Sequence, residues 1–320
     1  MSRSLVIDCH ADTLLKKYLS GLIRVMFVPD FDFHVSKELL IEGGVDVQVF
    51  AIFVPSKVEK LGIEVTLEMI SLAKEMEKEG VFTLIKSKSD LRKLESQSNT
   101  IGMILSMEGA IALERNLKLL PIFYELGVRN IGLVWSRKNL FCEGVRFNGE
   151  DDGEGLSFYG EALIEQMENL GMVIDVSHLN NTGFKDVVRL TSKPFIASHS
   201  NSYKVCPIKR NLNDEQLMDI ESAEGVVGIN FCRAFLNSEP EKAGIHDVIK
   251  HIVYISEIAG VDSVGLGSDF DGIPKAPEGL ENAAKIKKIP TLLEEEGFSQ
   301  QDISKIMGKN FQRVFEAVWK

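Results

Sequence analysis

The sequence lacks the features that mark several common classes of protein. It has four cysteines, at positions 9, 142, 206 and 232, and no C-x-x-C pair. Because disulfide frameworks and zinc knuckles need closely spaced cysteines, we expect neither. No apolar run is long enough to cross a bilayer. The opening residues, MSRSLVIDCHADTLL, lack the pattern of a secretory signal. We therefore expect a cytoplasmic protein.

Acidic residues outnumber basic ones. The chain has 36 Lys and Arg against 47 Asp and Glu, which gives a formal net charge of −11. Nucleic acids and anionic membranes usually bind basic surfaces, so we expect neither as a partner. With 320 residues, 44% of them hydrophobic, the chain can bury a sizeable core. We expect one domain over residues 1–320, because α/β barrels of this length commonly form one.

Eight short apolar runs, rich in β-branched residues, recur along the chain. They are almost continuously apolar rather than alternating, which is typical of strands that are buried on both faces. The runs cover residues 5–9, 47–54, 101–107, 130–135, 172–177, 194–198, 226–231 and 263–268.

Stretches with helical periodicity separate these runs. Strands that alternate with helices indicate a parallel sheet, and eight of them favour a closed (β/α)8 TIM barrel. The competing doubly wound sheet usually has a glycine-rich phosphate loop after its first strand, and here HADTLL follows instead. Asn213 and Gln216 form a plausible capping box. The clearest helical stretches are 63–78, 114–125, 159–170, 180–190, 213–221 and 245–259, and the C-terminus also has a helical pattern.

Two longer insertions lie near residues 16–44 and 136–157. Because loops that follow strands build the active face of a barrel, both are candidate walls of a substrate site. The second contains FNGEDDGEGLS, whose acidic part we interpret as a solvated loop.

Three of the six histidines, His10, His178 and His199, fall at the C-terminal ends of predicted strands. Barrel enzymes place their chemistry at this end. Two histidines on consecutive parallel strands, the fifth and the sixth, would lie side by side on the barrel rim. The histidines that lie elsewhere, and to which we assign no role, are His34, His246 and His251.

Carboxylates accompany these histidines. Asp12 follows His10 by two residues, so on an extended strand both side chains would point to the same side, whereas Cys9 would point the other way. Glu108 directly follows the third run, where a carboxylate is costly unless it is paired or metal-bound. In GSDFDG, Asp269 is expected to emerge into the barrel mouth, and Asp271 is interpreted as a turn residue.

The three histidines, the aspartate and the glutamate give five nitrogen and oxygen ligands without a thiolate. Such a set suits Zn²⁺, with Mn²⁺, Fe²⁺ or Co²⁺ as substitutes. Five ligands are too many for one tetrahedral catalytic zinc. They fit two ions, about 3.5–4 Å apart and bridged by a carboxylate and a water, that can turn water into a nucleophile near neutral pH.

Together these motifs resemble the renal (membrane) dipeptidase family of zinc peptidases, which includes bacterial cytoplasmic members. The order in which they occur is specific, and the similarity covers nearly the whole chain. It runs through DCHADTL, IEGGVDVQVFAIF, SMEGA, LGVRNIGLVW, GEALIEQMENLGMVIDVSHLN, PFIASHSN, KRNLNDEQL, VVGINF and VGLGSDFDG.

The resemblance implies a (β/α)8 barrel with two zinc ions. It also implies a free dipeptide as substrate, often with a D-residue at its C-terminal position. Its zinc ligands would be His10 and Asp12 for one ion, His178 and His199 for the other, and Glu108 as the bridge.

The resemblance also implies roles in catalysis and substrate binding. Arg210 matches the arginine that holds the terminal carboxylate of the substrate, and a guanidinium fork suits that task. Asp269 matches the acid/base that handles the proton of the attacking water and the leaving amine. Some members stabilise the oxyanion with a histidine in an L-T-H sequence, but here Trp135 takes that position. Either the metals act alone at this point, or a nearby group such as Asn139 assists.

Two alternatives remain open from the sequence. A barrel hydrolase with these ligands could act on a lactam, a cyclic amide or an ester. A non-catalytic metal- or peptide-binding descendant is the third hypothesis, although such proteins usually lose a ligand or the acid/base, and all are present here. A homodimer is plausible from the family but has no supporting motif. The sequence does not give the side-chain preference or the native metal.

Overall fold

A closed ring of parallel strands organises the computed structural model of the protein, which describes residues 4–24, 33–97, 100–114, 116–145 and 153–320. Within these residues, eight strands close the ring in the order β1-β2-β4-β5-β6-β7-β8-β9, and the two-residue β3 pairs with the start of β4. The prediction of a (β/α)8 barrel is confirmed. The strands are β1 (Ile7–Ala11), β2 (Val47–Phe53), β3 (Thr83–Leu84), β4 (Gly102–Glu108), β5 (Val128–Gly132), β6 (Val173–Asp175), β7 (Ile196–Ala197), β8 (Val226–Ile229) and β9 (Val264–Leu266).

Helices connect the strands and form the outer layer. Asn213 and Gln216 make the predicted capping box at the start of α8. The helices are α1 (Thr13–Arg24), α2 (Lys37–Gly43), α3 (Gly62–Lys78), α4 (Lys88–Leu94), α5 (Leu120–Leu126), α6 (Phe158–Leu170), α7 (Asn181–Leu190), α8 (Asp214–Ser222), α9 (Arg233–Leu236), α10 (Ile245–Ala259), α11 (Ile289–Glu295), α12 (Gln300–Ser304) and α13 (Asn310–Val318).

The lower part of the barrel interior is apolar. One buried cluster takes side chains from six of the ring strands, which only the inside of a closed sheet allows. Three aromatic residues of the C-terminal segment, Phe311, Phe315 and Trp319, belong to the same cluster. Phe311 packs so closely on Gly265 of β9 that a Cβ there would lie 2.4 Å from its ring. The C-terminal segment therefore closes the barrel end opposite the strand C-termini.

An irregularity in β1 turns His10 into the barrel. Asp8 pairs with Gln48, but the next register pair is Ala11 with Phe50, so β1 holds one extra residue. A bulge of this kind breaks the alternation of side chains. Cys9 belongs to the interior cluster, and His10 also faces the interior. The expectation that Cys9 points away from His10 is therefore wrong.

Two further predictions need correction, and one strand has no counterpart among the predicted runs. Strand β3 was not predicted, since two residues carry no periodic signal. The fourth run, 130–135, forms a strand that begins two residues earlier and ends at Gly132. The helix expected over 114–125 begins only at Leu120, because Asn116 starts a 3₁₀ turn and Pro121 favours a helix start.

The two insertions lie partly outside the described residues. Around the first, α1 and α2 flank residues 25–32, so most of PDFDF is not described. In the second, residues 146–152 are not described, and α6 begins just after it at Phe158.

Candidate metal centre

The C-terminal ends of the strands bring the predicted ligands together. Nε2 of His10 lies 3.6 Å from Oδ2 of Asp12, and both residues are buried. The imidazole of His10 stacks on that of His199, with ring centroids 3.7 Å apart. His199 lies two residues after the end of β7, and β8 and β9 separate β7 from β1 in the ring, so the two rings meet across the barrel mouth.

Glu108, the last residue of β4, reaches both sides of the cluster. Its Oε1 lies 3.0 Å from Nε2 of His178 and 3.6 Å from Nε2 of His199. Its Oε2 lies 3.8 Å from Nε2 of His10. The Nε2 atoms of His178 and His199 are themselves 2.9 Å apart. One carboxylate therefore faces three imidazoles, with a different oxygen toward each side.

Several buried atoms of this cluster have no hydrogen-bond partner, which fits a site for cations. Among the residues that the structure describes, Nε2 of His10 and Oδ1 of Asp12 are buried and have no hydrogen-bond partner. Two groups of side chains, His10–Glu108–His199 and His10–Asp12–Asp269, each offer ligand atoms within 4.8 Å of one another. Buried polar atoms are otherwise nearly always hydrogen-bonded. Nitrogen and carboxylate donors without thiolate are the set that a catalytic Zn²⁺ or a related ion takes.

Burial and mutual charge shift the pKa values in this cluster strongly. Burial raises the pKa of Glu108 well above its usual range, and the charge of Asp12 raises it further. Burial lowers the pKa of His10, but the contact with Asp12 and the charge of Glu108 outweigh it and bring the pKa to about 10. Burial lowers the pKa values of His178 and His199 well below the ordinary range, so both stay neutral and can donate a lone pair.

Asp269 lies at the same mouth, on the turn after β9. Its Oδ2 accepts a hydrogen bond of 2.9 Å from the side-chain amide of Asn230 at the end of β8. Burial, opposed by the charge of His10, raises the pKa of Asp269 to about 7. A carboxyl group with this pKa can both accept and release a proton near neutrality.

Arg210 is buried beside His199. Its Nη2 donates to the carbonyl oxygen of His199 and its Nη1 to Oγ of Ser200, both at 2.8 Å. Its Nε has no hydrogen-bond partner in the part of the chain that the structure describes. A buried guanidinium with an unused donor is suited to an anionic ligand. Arg210 was identified only through the family resemblance, because nothing in its local sequence separates it from a surface arginine.

Trp135 and Asn139, the two remaining predicted site residues, lie on the loop after β5. The ring of Trp135 is 5.8 Å from that of His178, at the edge of the cluster. The amide of Asn139 braces its own loop: it donates to the carbonyl oxygen of Leu133 at 2.7 Å and accepts from the N–H groups of Phe141 and Cys142.

The residues assigned no catalytic role have structural contacts. Asp271 accepts hydrogen bonds from Thr13, Lys16 and the backbone of His34, and so ties α1 to the turn after β9. His251 is buried and bridges two backbone groups: its Nδ1 accepts from the N–H of Ser202, and its Nε2 lies 3.1 Å from the carbonyl oxygen of Leu236.

Sequence reasoning missed the buried polar residues that support the ligands. Asp175 accepts hydrogen bonds from the backbone N–H and the hydroxyl of Ser198, and Ser198 contacts imidazoles in turn. Ser136 lies 2.9 Å from Nδ1 of His178. The only available signal was adjacency, because Ser198 precedes His199 and Asp175 belongs to the same motif as His178.

A parallel β/α barrel whose mouth collects imidazoles and carboxylates defines the class of metal-dependent hydrolases. The family described as membrane dipeptidase (peptidase family M19) matches residues 1–320. The chain belongs to this family and is a metal-dependent dipeptide hydrolase. In the described part of the chain, no helix combines the length and apolarity that a membrane span requires.

Known proteins resemble the chain over most of its length. A Klebsiella pneumoniae protein encoded in the region 5′ of pqqA, itself uncharacterised, is 35% identical over 266 residues, which cover 81% of this chain and 97% of that protein. A metallopeptidase from Rhodobacter sphaeroides, solved with a phosphinate mimic of L-Ala-D-Ala, shares 31% identity with a TM-score of 0.91, covering 98% of this chain and 99% of its own. Dipeptidase AC of family M19 shares 32% identity with a TM-score of 0.91, covering 99% of both chains.

Proposed function

We propose that the protein hydrolyses free dipeptides with two zinc ions held in the barrel mouth. The arrangement of Glu108 carries the proposal, since its Oε1 faces His178 and His199 while its Oε2 faces His10. One ion would take the first pair of imidazoles, and the other would take His10 and Asp12. Glu108 would bridge the two.

The charge of the site supports two divalent cations. Four acidic side chains, those of Asp12, Glu108, Asp175 and Asp269, surround the cluster in the described part of the chain, and Arg210 supplies one positive charge beside them. If all four carboxylates were ionised, the negative charge would exceed the positive charge even with His10 protonated, which is costly in a buried site. Two divalent ions balance these charges and leave room for one ionised water.

Each side chain then has a chemical task. Bound ions would polarise the scissile carbonyl and lower the pKa of the attacking water. Arg210 would bind the substrate's terminal carboxylate, which orients a free dipeptide and disfavours longer peptides. Asp269, held by Asn230, would take the proton of the water and deliver it to the leaving amine.

A substrate with a C-terminal D-residue is part of this proposal. The Rhodobacter sphaeroides structure contains a mimic of L-Ala-D-Ala, and its chain covers 98% of this one. We therefore propose that L-Ala-D-Ala is hydrolysed, and a direct comparison with L-Ala-L-Ala gives the stereochemical preference.

The test combines metal analysis with dipeptide hydrolysis. We expect two zinc ions per chain by elemental analysis and activity that a chelator removes. His199→Ala and Asp12→Ala abolish hydrolysis and keep the circular dichroism spectrum of a folded barrel. The exposed His246 provides a matched control, because His246→Ala leaves both metal content and rate unchanged. Full activity in either ligand variant would contradict the assignment.

Three further proposals come from the sequence. A single domain over residues 1–320 follows from the length of the chain, and limited proteolysis tests it. A cytoplasmic location is the second of these proposals, and cell fractionation tests it. A homodimer is the third, and analytical ultracentrifugation tests it.

A further inference from the structure

A pocket lined by aromatic and apolar side chains opens beside the metal centre. Its walls are Phe53 at the end of β2, Ile111 after β4 and Trp135 after β5, and Glu108 lies at its floor. All three wall residues are only partly buried, and the rings of Phe53 and Trp135 lie 5.2 Å apart. Apolar surface left open beside a catalytic centre is typical of a ligand pocket.

The pocket lies on the side of the cluster away from Arg210. Arg210 bonds to the backbone of His199, the Nε2 of His199 is 2.9 Å from that of His178, and the ring of His178 is 5.8 Å from that of Trp135. A dipeptide with its carboxylate on Arg210 and its scissile bond at Glu108 would extend its first residue toward Trp135.

An ion pair forms the outer rim of this pocket. Nη1 of Arg137 lies 3.2 Å from Oε1 of Glu59, and the guanidinium also lies 5.5 Å from the centroid of the Trp135 ring. Lys138 also lines the pocket and is paired with Glu154, so both basic side chains are compensated and the rim offers no net charge to a substrate side chain. The apolar walls therefore determine which substrate side chain the pocket prefers.

We infer that this pocket binds the side chain of the substrate's N-terminal residue and selects an apolar one. The inference rests on the proposed dipeptidase function and on the proposed role of Arg210. It gives Phe53, Ile111 and Trp135 a part in specificity and none in the chemical step.

Four dipeptides test the inference: Leu-Gly, Ala-Gly, Gly-Leu and Gly-Ala. We expect the wild type to prefer Leu-Gly over Ala-Gly in kcat/KM. Trp135→Ala lowers that preference about tenfold, the scale of a lost apolar contact, and leaves the ratio of Gly-Leu to Gly-Ala unchanged. Ile111→Ala, a smaller truncation of the same wall, lowers the preference in the same direction.

The control removes an aromatic ring elsewhere. Phe158 on α6 is 80% exposed, and Phe158→Ala keeps the wild-type ratios. If both wall variants retain the Leu-Gly preference, or lose selectivity equally at both positions, the inference is wrong. A wild type that hydrolyses none of the four contradicts the proposed function itself.

A separate observation concerns Ser198, which contacts two of the proposed ligands. Its hydroxyl donates to Oδ2 of Asp175, so its single proton is already used. The same oxygen lies 2.7 Å from Nδ1 of His199 and 3.5 Å from Nδ1 of His10. A hydroxyl oxygen has two lone pairs, so it can accept from both rings.

We propose that Ser198 is a positioning residue that fixes the tautomer of both histidines. With Nδ1 protonated toward Ser198, each ring presents the lone pair of Nε2 to the metal centre. Since His10 and His199 belong to different ions in the proposed function, one hydroxyl supports both ions. Asp175 sets the direction of the hydroxyl and acts through it.

A second serine in the barrel gives a matched control. Ser268 donates its backbone N–H and its hydroxyl to Asp8, at 2.7 and 2.6 Å, in the same way as Ser198 donates to Asp175. Within the described ranges, its hydroxyl contacts the backbone oxygen of His10 and the backbone N–H of Phe270, and no imidazole nitrogen. Ser198→Ala and Ser268→Ala therefore remove comparable buried hydroxyls.

Zinc affinity, measured by competition with a chromophoric chelator, distinguishes the two variants. We expect Ser198→Ala to weaken zinc binding by about 10–100-fold, and Ser268→Ala to bind within about threefold of wild type. Histidine ¹⁵N spectra of the zinc-loaded protein add a second readout, in which Ser198→Ala loses the Nδ1–H signals of two rings. Equal affinity in Ser198→Ala and wild type, or equal losses in both variants, would overturn the proposal. A wild type without bound zinc contradicts the metal centre instead.

Discussion

Gly267→Ala should displace the backbone that carries His199. A Cβ at Gly267 would lie 1.8 Å from the carbonyl oxygen of Ser198 and 3.2 Å from the Cα of His199. A carbon and an oxygen normally stay about 3.3 Å apart, so the two segments must separate by about 1.5 Å. Ser198 cannot yield easily, because its N–H and hydroxyl are both bonded to Asp175.

The expected cost is large for one methyl group. Overpacking a close-packed interior costs about 1–3 kcal/mol, and we expect the upper end, about 3 kcal/mol, since backbone and not a flexible side chain must move. The unfolding entropy of a 320-residue chain is about 0.7 kcal/mol per kelvin. The melting temperature of the metal-free protein should therefore fall by about 4 °C, and zinc affinity should fall because His199 is displaced.

Gly21→Ala gives a control of opposite sign. Gly21 lies within α1, and no atom of the described residues is within 4 Å of an added Cβ. Alanine there should stabilise the helix by about 0.5–1 kcal/mol. Differential scanning calorimetry with chelator present and zinc titration together measure both effects. If Gly267→Ala melts at the wild-type temperature and binds two ions with wild-type affinity, the packing argument is refuted.

Three further outcomes follow from the same structure. Removing the metal ions with a chelator should lower the melting temperature, because each ion held at 1,000 times its Kd contributes about 4 kcal/mol; an unchanged melting curve would contradict the buried centre. Burial lowers the pKa of His251 to about 4 from an ordinary 6.5. The folded protein thus binds fewer protons than the unfolded chain, and stability falls as pH drops from about 6.5 to 4, by up to about 3 kcal/mol. His251→Gln should flatten this dependence in denaturant titrations at pH 7 and pH 5, and an equal slope would refute the assignment. Arg210→Lys keeps the charge but loses the planar fork, so KM for dipeptides should rise at least about tenfold with metal content unchanged; an unchanged KM would remove Arg210 from substrate binding.

The sequence predicted the barrel because its strands are buried on both faces. Continuous apolar runs such as 47–54 and 226–231 are a strong signal, and all eight correspond to strands of the ring. Boundaries were weaker where local chemistry decides them. Asn116 and Pro121 delay α5, and two-residue β3 is defined by its pairing with β4, which no local pattern encodes.

The proposed ligands could be found from the sequence because they end strands, but their orientation could not. His10 faces inward because β1 contains a bulge, and the sequence of the strand gives no signal of that bulge. Ser177 shares the interior face with Asp175, so simple alternation would turn His178 outward; its positive φ reverses that direction. The contact between Ser198 and His10 joins residues 188 positions apart, which only the folded ring brings together.

Two residues at the barrel mouth have left-handed backbone conformations, which cost stability at positions where the activity needs a side chain. His178 has φ of 71° and Asp269 has φ of 61°, a region in which L-residues lose about 1–2 kcal/mol relative to glycine. Glycine at either position should therefore raise the melting temperature of the metal-free protein while it removes a side chain that the chemistry needs. If a library of variants is selected for heat resistance alone, without an activity screen, such substitutions should be enriched. Sequencing the selected variants would show whether they gain thermostability by losing residues of the site.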